Sequence, residues 1–387
     1  MKLIFARLTQ LPKRPFRTSI EFHSLSRTTL EDRIMSQPIS LAYSRGCGRK
    51  RELISLVNTA LLLALLMVAG WIGRSYAAEA PRGGERPPLT VDAFSVVKIH
   101  VRAVNDARSR STLGPERDGT GIVIDSSGLI LTIGYLVQEA ETVDISAADG
   151  RTVPASVIAY DFTTGFGLLR AVKPPSVKPI TLGDSSTVPE REPVLIVGFD
   201  GVAPAFVVSR RPFAGYWEYL LDEAIYTAPA TVNWQGAALI NKEGKLLGVG
   251  SLVVGDALGG RGQVPGNLFV PIDLLKPILG DLIAQGRTSS KPRPWLGVST
   301  QDMQGKLIVT RVSPDSPAEQ AGLTTGDIIL GIRGEQIKGH PDFYRKLWAS
   351  GDAGTDVKLD VLKGVEVKQL NVRSMDREKY LRPRPTY

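Results

Sequence analysis

Two side chains that carry much of enzyme chemistry are nearly absent from this 387-residue chain. There is one cysteine, Cys47, and there are three histidines, His23, His100 and His340. A single thiol excludes an intrachain disulfide and any cysteine-based metal site. With histidine this scarce, few imidazoles remain to serve as a general base. No cluster of His, Cys, Asp or Glu points to a metal, and no glycine-rich loop suits a phosphate. The sequence therefore predicts neither metal nor cofactor. A basic surface is also missing from most of the chain. The formal charge is +8, but residues 1–74 hold twelve of the 47 Lys/Arg and only four of the 39 Asp/Glu, which leaves the rest balanced. A balanced body gives no footprint for nucleic acid.

What is present first is a leader. Residues 1–52 are basic and without periodicity, and are expected to be unstructured. Leu53–Ile72 is an apolar run long enough to span a bilayer, and 73–90 is a Pro/Gly/Arg-rich linker. Ser75-Tyr76-Ala77 and Ala78-Glu79-Ala80 both fit small-x-small cleavage sites. A cleaved signal peptide and an uncleaved inner-membrane anchor both remain open. Met35 offers a second start that keeps Arg45, Arg49, Lys50 and Arg51 as the positive flank. Either route exports the body of the chain, after about residue 80, to the periplasm or beyond.

From 91 to 287 short apolar runs alternate with turn residues, the pattern of a mostly β barrel or sandwich. Asp125-Ser126-Ser127-Gly128 and Ala148-Asp149-Gly150 are turn signals. Asp273–Gln285 has helical apolar spacing, with Gly286 as its C-cap. After a linker at 288–293, residues 294–373 predict strands at Leu296–Thr300, Leu307–Val312 and Asp327–Ile332. They also predict a helix capped by Ser316 with Pro317 at its first position, a second helix at Pro341–Ala349, and a hairpin across Lys363-Gly364. The polar, proline-containing end, 374–387, is expected to be disordered.

Two stretches carry resemblances. Trp295-Leu296-Gly297-Val298, followed by the Ser-Pro-Ala-x-x-Ala-Gly-Leu-x-x-Gly-Asp-x-Ile pattern over Ser316–Ile329, resembles the PDZ domains of bacterial periplasmic proteases. In such domains a peptide adds a strand to an open sheet edge. The resemblance implies that backbone amides around Trp295, Leu296, Gly297 and Val298 receive a C-terminal carboxylate. Phe343 and Leu347, on one face of the second helix, would line the groove or serve as plain core. Gly119–Thr132, Leu182–Ser185, Val197–Phe199 and Phe269–Pro271 resemble the HtrA/Deg family of chymotrypsin-like serine proteases. That family implies two barrels and a Ser-His-Asp triad.

The triad positions depart from the family. Tyr135 stands in the His place, Gly165 in the Asp place and Gln235 in the Ser place; shifting the alignment by one residue puts Gly236 there instead. A serine hydrolase needs a nucleophile, a base in reach and an orienting acid. Gln has no nucleophilic atom, Tyr with a pKa near 10 is a poor base at neutral pH, and glycine orients nothing. Asn233 and Trp234 replace the small residues expected of an oxyanion loop. The reading is a degenerate protease fold that binds peptide or unfolded-protein C-termini as a scaffold, chaperone-like or regulatory factor. The alternative is an active peptidase using Tyr135 or a loop serine such as Ser209. The resemblance further implies an active HtrA relative, or two further copies of this chain in a trimer, as partners.

Overall fold

The structure, a computed structural model, describes residues 94–260 and 262–382. The expectations for 1–52, 53–72 and 73–90 lie outside these. Among the described residues no helix is long and apolar enough to cross a membrane.

The first barrel is built from β1 (Val96–Ala103), β2 (Glu116–Val123), β3 (Leu129–Ile133), β4 (Ala140–Ser146), β5 (Thr152–Tyr160) and β6 (Phe166–Ala171). It closes in the order β1-β2-β3-β6-β5-β4. Its core is largely β-branched or leucine: Ile99, Ile122, Ile130, Leu131, Ile145 and Leu168 are fully buried. Two helical turns interrupt it, α1 (Arg110–Leu113) and α2 (Gly134–Val137). The second barrel contains β7 (Pro193–Gly198), β8 (Gly201–Gly215), β9 (Tyr219–Ala228), β10 (Ala238–Ile240), β11 (Leu246–Val254) and β12 (Gly266–Pro271). It closes as β10-β11-β12-β9-β8-β7. Closure removes free strand edges, the usual liability of β structure.

The helix expected over Asp273–Gln285 is shorter. A 3-10 turn, Ile272–Leu274, comes first, and α3 covers only Leu279–Gln285. Pro277 has no N–H and its ring obstructs the preceding turn, so the helix starts after it. Gly286 caps the end at φ +73° as expected. Asp273, inside the turn, accepts from the amides of Ser185 and Ser186 at 2.8 Å each, from Ser185 Oγ at 2.9 Å, and from Lys276. Burial disfavours the Asp273 charge, but these donors outweigh it and hold the pKa at about 2, below the ordinary 3.8. A depressed carboxylate stabilises the fold above its unfolded pKa and loses that contribution as pH falls through the folded value. Asp273→Asn is therefore expected to lower the melting temperature at neutral pH and to flatten its fall between about pH 4 and pH 2. Thermal melts across that range check this.

The third body holds β13 (Val298–Met303), β14 (Lys306–Val312), α4 (Pro317–Gln320), β15 (Ile328–Ile332), β16 (Glu335–Gln336), α5 (His340–Trp348), β17 (Asp356–Lys363) and β18 (Glu366–Arg373). The sheet runs β13-β14-β15-β17-β18, so β13 is an edge. Ser316 caps α4 by accepting from the Glu319 amide, with Pro317 at the first position.

The expectation of a disordered end is corrected through Arg382. Trp295 and Met375 exchange backbone hydrogen bonds at 3.0 and 3.1 Å, and α6 (Arg377–Tyr380) comes next. The Tyr380 ring lies 4.6 Å from that of Trp295, and the Arg108 guanidinium stands 4.3 Å from the Tyr380 ring centroid. Glu139 accepts from the Arg382 amide at 2.8 Å. Polar composition concealed this segment, because it is held by backbone pairing and cation–π contact rather than by an apolar stripe.

Candidate functional site

The three triad positions converge. Tyr135, Gly165 and Gln235 all line one cleft of about 540 Å³, walled on one side by the two barrels and on the other by the PDZ-like body and α6. Each is held by its own local structure.

Tyr135 rides on α2, whose carbonyls are gathered by one buried guanidinium. Arg117 donates to Tyr135 O at 3.0 Å and Gln138 O at 2.6 Å, and to Ser109 Oγ at 2.9 Å. Burial lowers the Arg117 pKa to about 10. The Tyr135 hydroxyl donates to Ser251 O at 3.1 Å, and burial pushes its pKa well above the ordinary value. A phenol with its proton committed and its ionised form disfavoured is neither base nor nucleophile at neutral pH.

Gly165 adopts φ +85°, and a Cβ built there would stand 3.0 Å from the Tyr219 hydroxyl. That hydroxyl donates to Thr164 O at 2.6 Å. A tyrosine from the second barrel thus occupies the space a side chain at 165 would need.

The loop before β10 is tightly built although it offers no nucleophile. Thr120 N donates to Gln235 O at 2.8 Å, Gly236 N to Gly250 O at 2.9 Å, and Asn267 clamps Thr231 through both its amide atoms at 2.8 and 3.1 Å. Gly236 has φ +74°, and a Cβ there would meet Thr120 O at 2.2 Å. No side chain fits at 236, and Gln235 beside it is exposed and lines the cleft. The Asn233 amide is directed to Thr231 Oγ1 at 3.4 Å.

Among the described residues no histidine lines this cleft. His100, half-exposed on β1, does not line it but pairs at 3.1 Å with Asp118, which does. His340 Nε2 lies 2.9 Å from Thr300 Oγ1 and 3.1 Å from Thr300 O, with burial lowering its pKa. Thr300 is itself only 2% exposed, so this hydroxyl–imidazole contact has no access to a substrate. Ser209, the suggested loop serine, lies buried within β8 and does not line the cleft. Among the described residues no group of His, Cys, Asp or Glu could hold a metal.

In the PDZ-like body the amide of Trp295 donates to Met375 O, while those of the next three residues point elsewhere. The amides of Leu296, Gly297 and Val298 converge on one carboxylate, at 2.9, 2.7 and 3.0 Å. Gly297 is at φ +89°, where a Cβ would stand 2.3 Å from Ser316 Cβ. The carboxylate belongs to Glu218, at the tip of the β8–β9 hairpin. Burial raises the Glu218 pKa, against the pull of the three amides and Arg377. Trp295 is 7% exposed, and Phe343 and Leu347 are fully buried in one apolar cluster that also takes in Leu220 of β9. Sequence reasoning missed Glu218. Its only mark was an isolated charge in the run Tyr216-Trp217-Glu218-Tyr219-Leu220.

The family models agree with this layout. A trypsin-like peptidase domain matches residues 119–249 and a PDZ domain matches 294–373. The chain carries a trypsin-like peptidase domain followed by a PDZ domain and is similar to serine proteases of the DegP/HtrA kind. A relative from Marinomonas sp. named "Probable periplasmic serine endoprotease DegP-like" is 28% identical over 240 residues, which is 57% of this chain and 49% of the relative. The periplasmic pH-dependent serine endoprotease DegQ of Escherichia coli is 25% identical over 273 residues, 66% of this chain and 58% of the relative. The chain spans about half the length of these curated HtrA relatives. The serine endoprotease from Yersinia pestis superposes with a TM-score of 0.45 at 21% identity, over 74% of this chain and 95% of that one.

Proposed function

We propose that this HtrA-like chain is a recognition protein that does not cleave peptide bonds. It binds the C-termini of peptides or unfolded proteins through its PDZ domain and works in the periplasm as a scaffold, holder or regulator. One observation carries the reading. The positions that would hold His, Asp and Ser meet in a single cleft as Tyr135, Gly165 and Gln235, with no histidine among the described residues lining it. A cleft whose serines meet no lining imidazole among the described residues, and which presents Gln235 at its loop tip, leaves binding as the task this reading keeps. The names of the matched relatives, periplasmic serine endoproteases, support the compartment and the ancestry of the fold. The three convergent amides at 296–298 support carboxylate recognition.

The test is incubation of the full-length chain with unfolded casein and, separately, with a fluorophosphonate probe, from about pH 5 to pH 9. The expected result is no fragments and no adduct above buffer. Cleavage that survives purification and disappears on substitution of a cleft residue rejects the reading.

A further inference from the structure

The PDZ groove already has an occupant. We propose that the β8–β9 hairpin tip is an internal ligand of the PDZ domain, and that an external peptide must displace it by presenting the same chemistry. This rests on the reading of the PDZ domain as a C-terminus receptor.

Three contacts match the pattern by which a peptide end would dock. The Glu218 carboxylate takes the three amides of Leu296, Gly297 and Val298. Two residues upstream, Tyr216 O accepts from the amide of Thr300 at 3.1 Å. β13 is the edge strand, so this bond extends the sheet from its open side. Leu220 joins the apolar cluster of Leu296, Val298, Phe343 and Leu347. The tip is further fixed from α5, where Tyr344 donates to Gly215 O at 2.6 Å and accepts from the Glu218 amide at 3.2 Å. Glu218 itself is held at φ +58°, a conformation uncommon for a residue with a side chain. An acidic residue in a strained turn, buried to 5% exposure and aimed at three amides, is accounted for by this contact.

The internal ligand also defines the external one. It must be an extended segment with a free terminal carboxylate, a backbone carbonyl for Thr300, and an aliphatic side chain for the site now filled by Leu220. Because the apparent dissociation constant is the intrinsic one divided by the binding-competent fraction f, a closed groove weakens every such peptide by the same factor.

The experiment uses the full-length chain and a fluorescein-labelled pentapeptide, Gly-Ser-Gly-Tyr-Leu, with either a free carboxylate or a C-terminal amide. Fluorescence anisotropy gives affinity, and amide hydrogen exchange in the same samples gives protection at Leu296, Gly297 and Val298. Glu218→Gln and Glu218→Ala are expected to bind the free-carboxylate peptide at least about ten-fold tighter than the unaltered chain. They should exchange the three amides faster and ignore the amidated peptide. Unchanged protection in the β17–β18 hairpin shows that the variants are folded. Equal affinity and equal protection in all three proteins overturns the internal ligand. Faster exchange at 296–298 with no peptide bound by any of them upholds the internal ligand and instead removes the proposed recognition of free C-termini.

Discussion

Gly236→Ala is expected to cost about 4 kcal/mol or more, placing it among the exceptional single substitutions. Two effects combine. The backbone at 236 sits at φ +74°, where a Cβ is strained by about 1–3 kcal/mol. The new Cβ would also stand 2.2 Å from Thr120 O and 2.7 Å from Thr132 Oγ1. Thr120 O is not free to retreat, since it accepts from Thr132 Oγ1 at 2.7 Å, and its residue's amide holds Gln235 O at 2.8 Å. Relief would have to break the strand pairing of β2 or the loop itself. A urea titration followed by tryptophan fluorescence reads the result as a large fall in midpoint, or as loss of the cooperative transition. A cost within about 1 kcal/mol would mean that the loop is not built around this contact. The substitution matters because it separates shape from chemistry. The loop is tightly built with a glutamine at its tip.

The second large effect concerns putting the triad back. Tyr135→His, Gly165→Asp and Gln235→Ser together are expected to yield no casein turnover, and Gly165→Asp alone to cost about 2–4 kcal/mol. Asp is among the residues that tolerate positive φ best, so the backbone is the smaller obstacle. The larger one is Tyr219. Its ring packs against Trp217, 5.9 Å away and stacked, and its hydroxyl is committed to Thr164 O. An aspartate at 165 would drive its Cβ to 3.0 Å from that oxygen and bury a carboxylate beside it. Without the acid in place, an imidazole at 135 is left unoriented. Urea melts of the single variant and casein assays of the triple variant check both parts. Turnover by the triple variant would show that the cleft has lost only side chains and not their setting.

Both barrels were legible because their strands are short apolar runs cut by turn residues, and the apolar side chains are those that fill the interior. The length of β8 and β9 was not. Arg210, Arg211 and Pro212 break the run after Val208, and Asp222 and Glu223 break the one before Ala224. In the structure Pro212 lies at a register shift between Arg211 and Phe213, where a bulge tolerates a residue that cannot donate. Asp222 and Glu223 are exposed, Arg210 pairs with Glu223 at 2.8 Å, and half-buried Arg211 donates to the carbonyls of Asp256 and Ala257 at 2.8 Å each. The hairpin therefore reaches the PDZ domain on a stretch that composition marks as loop. The cleft was half legible. Local motif spacing identified Tyr135, Gly165 and Gln235, but Tyr219 and Glu218 act across long separations in sequence, which no local pattern encodes. The PDZ amides were expected from Gly297, whereas their partner could come only from coordinates.

The central claim is that a hydrolase-shaped cleft is present and its reactivity is gone. The most direct measurement is the intact mass of the full-length chain after prolonged exposure to a fluorophosphonate near neutral pH. The account predicts an unshifted mass. A stoichiometric adduct mapped to a serine of the cleft, Ser109, Ser251, Ser299 or Ser313, would contradict it.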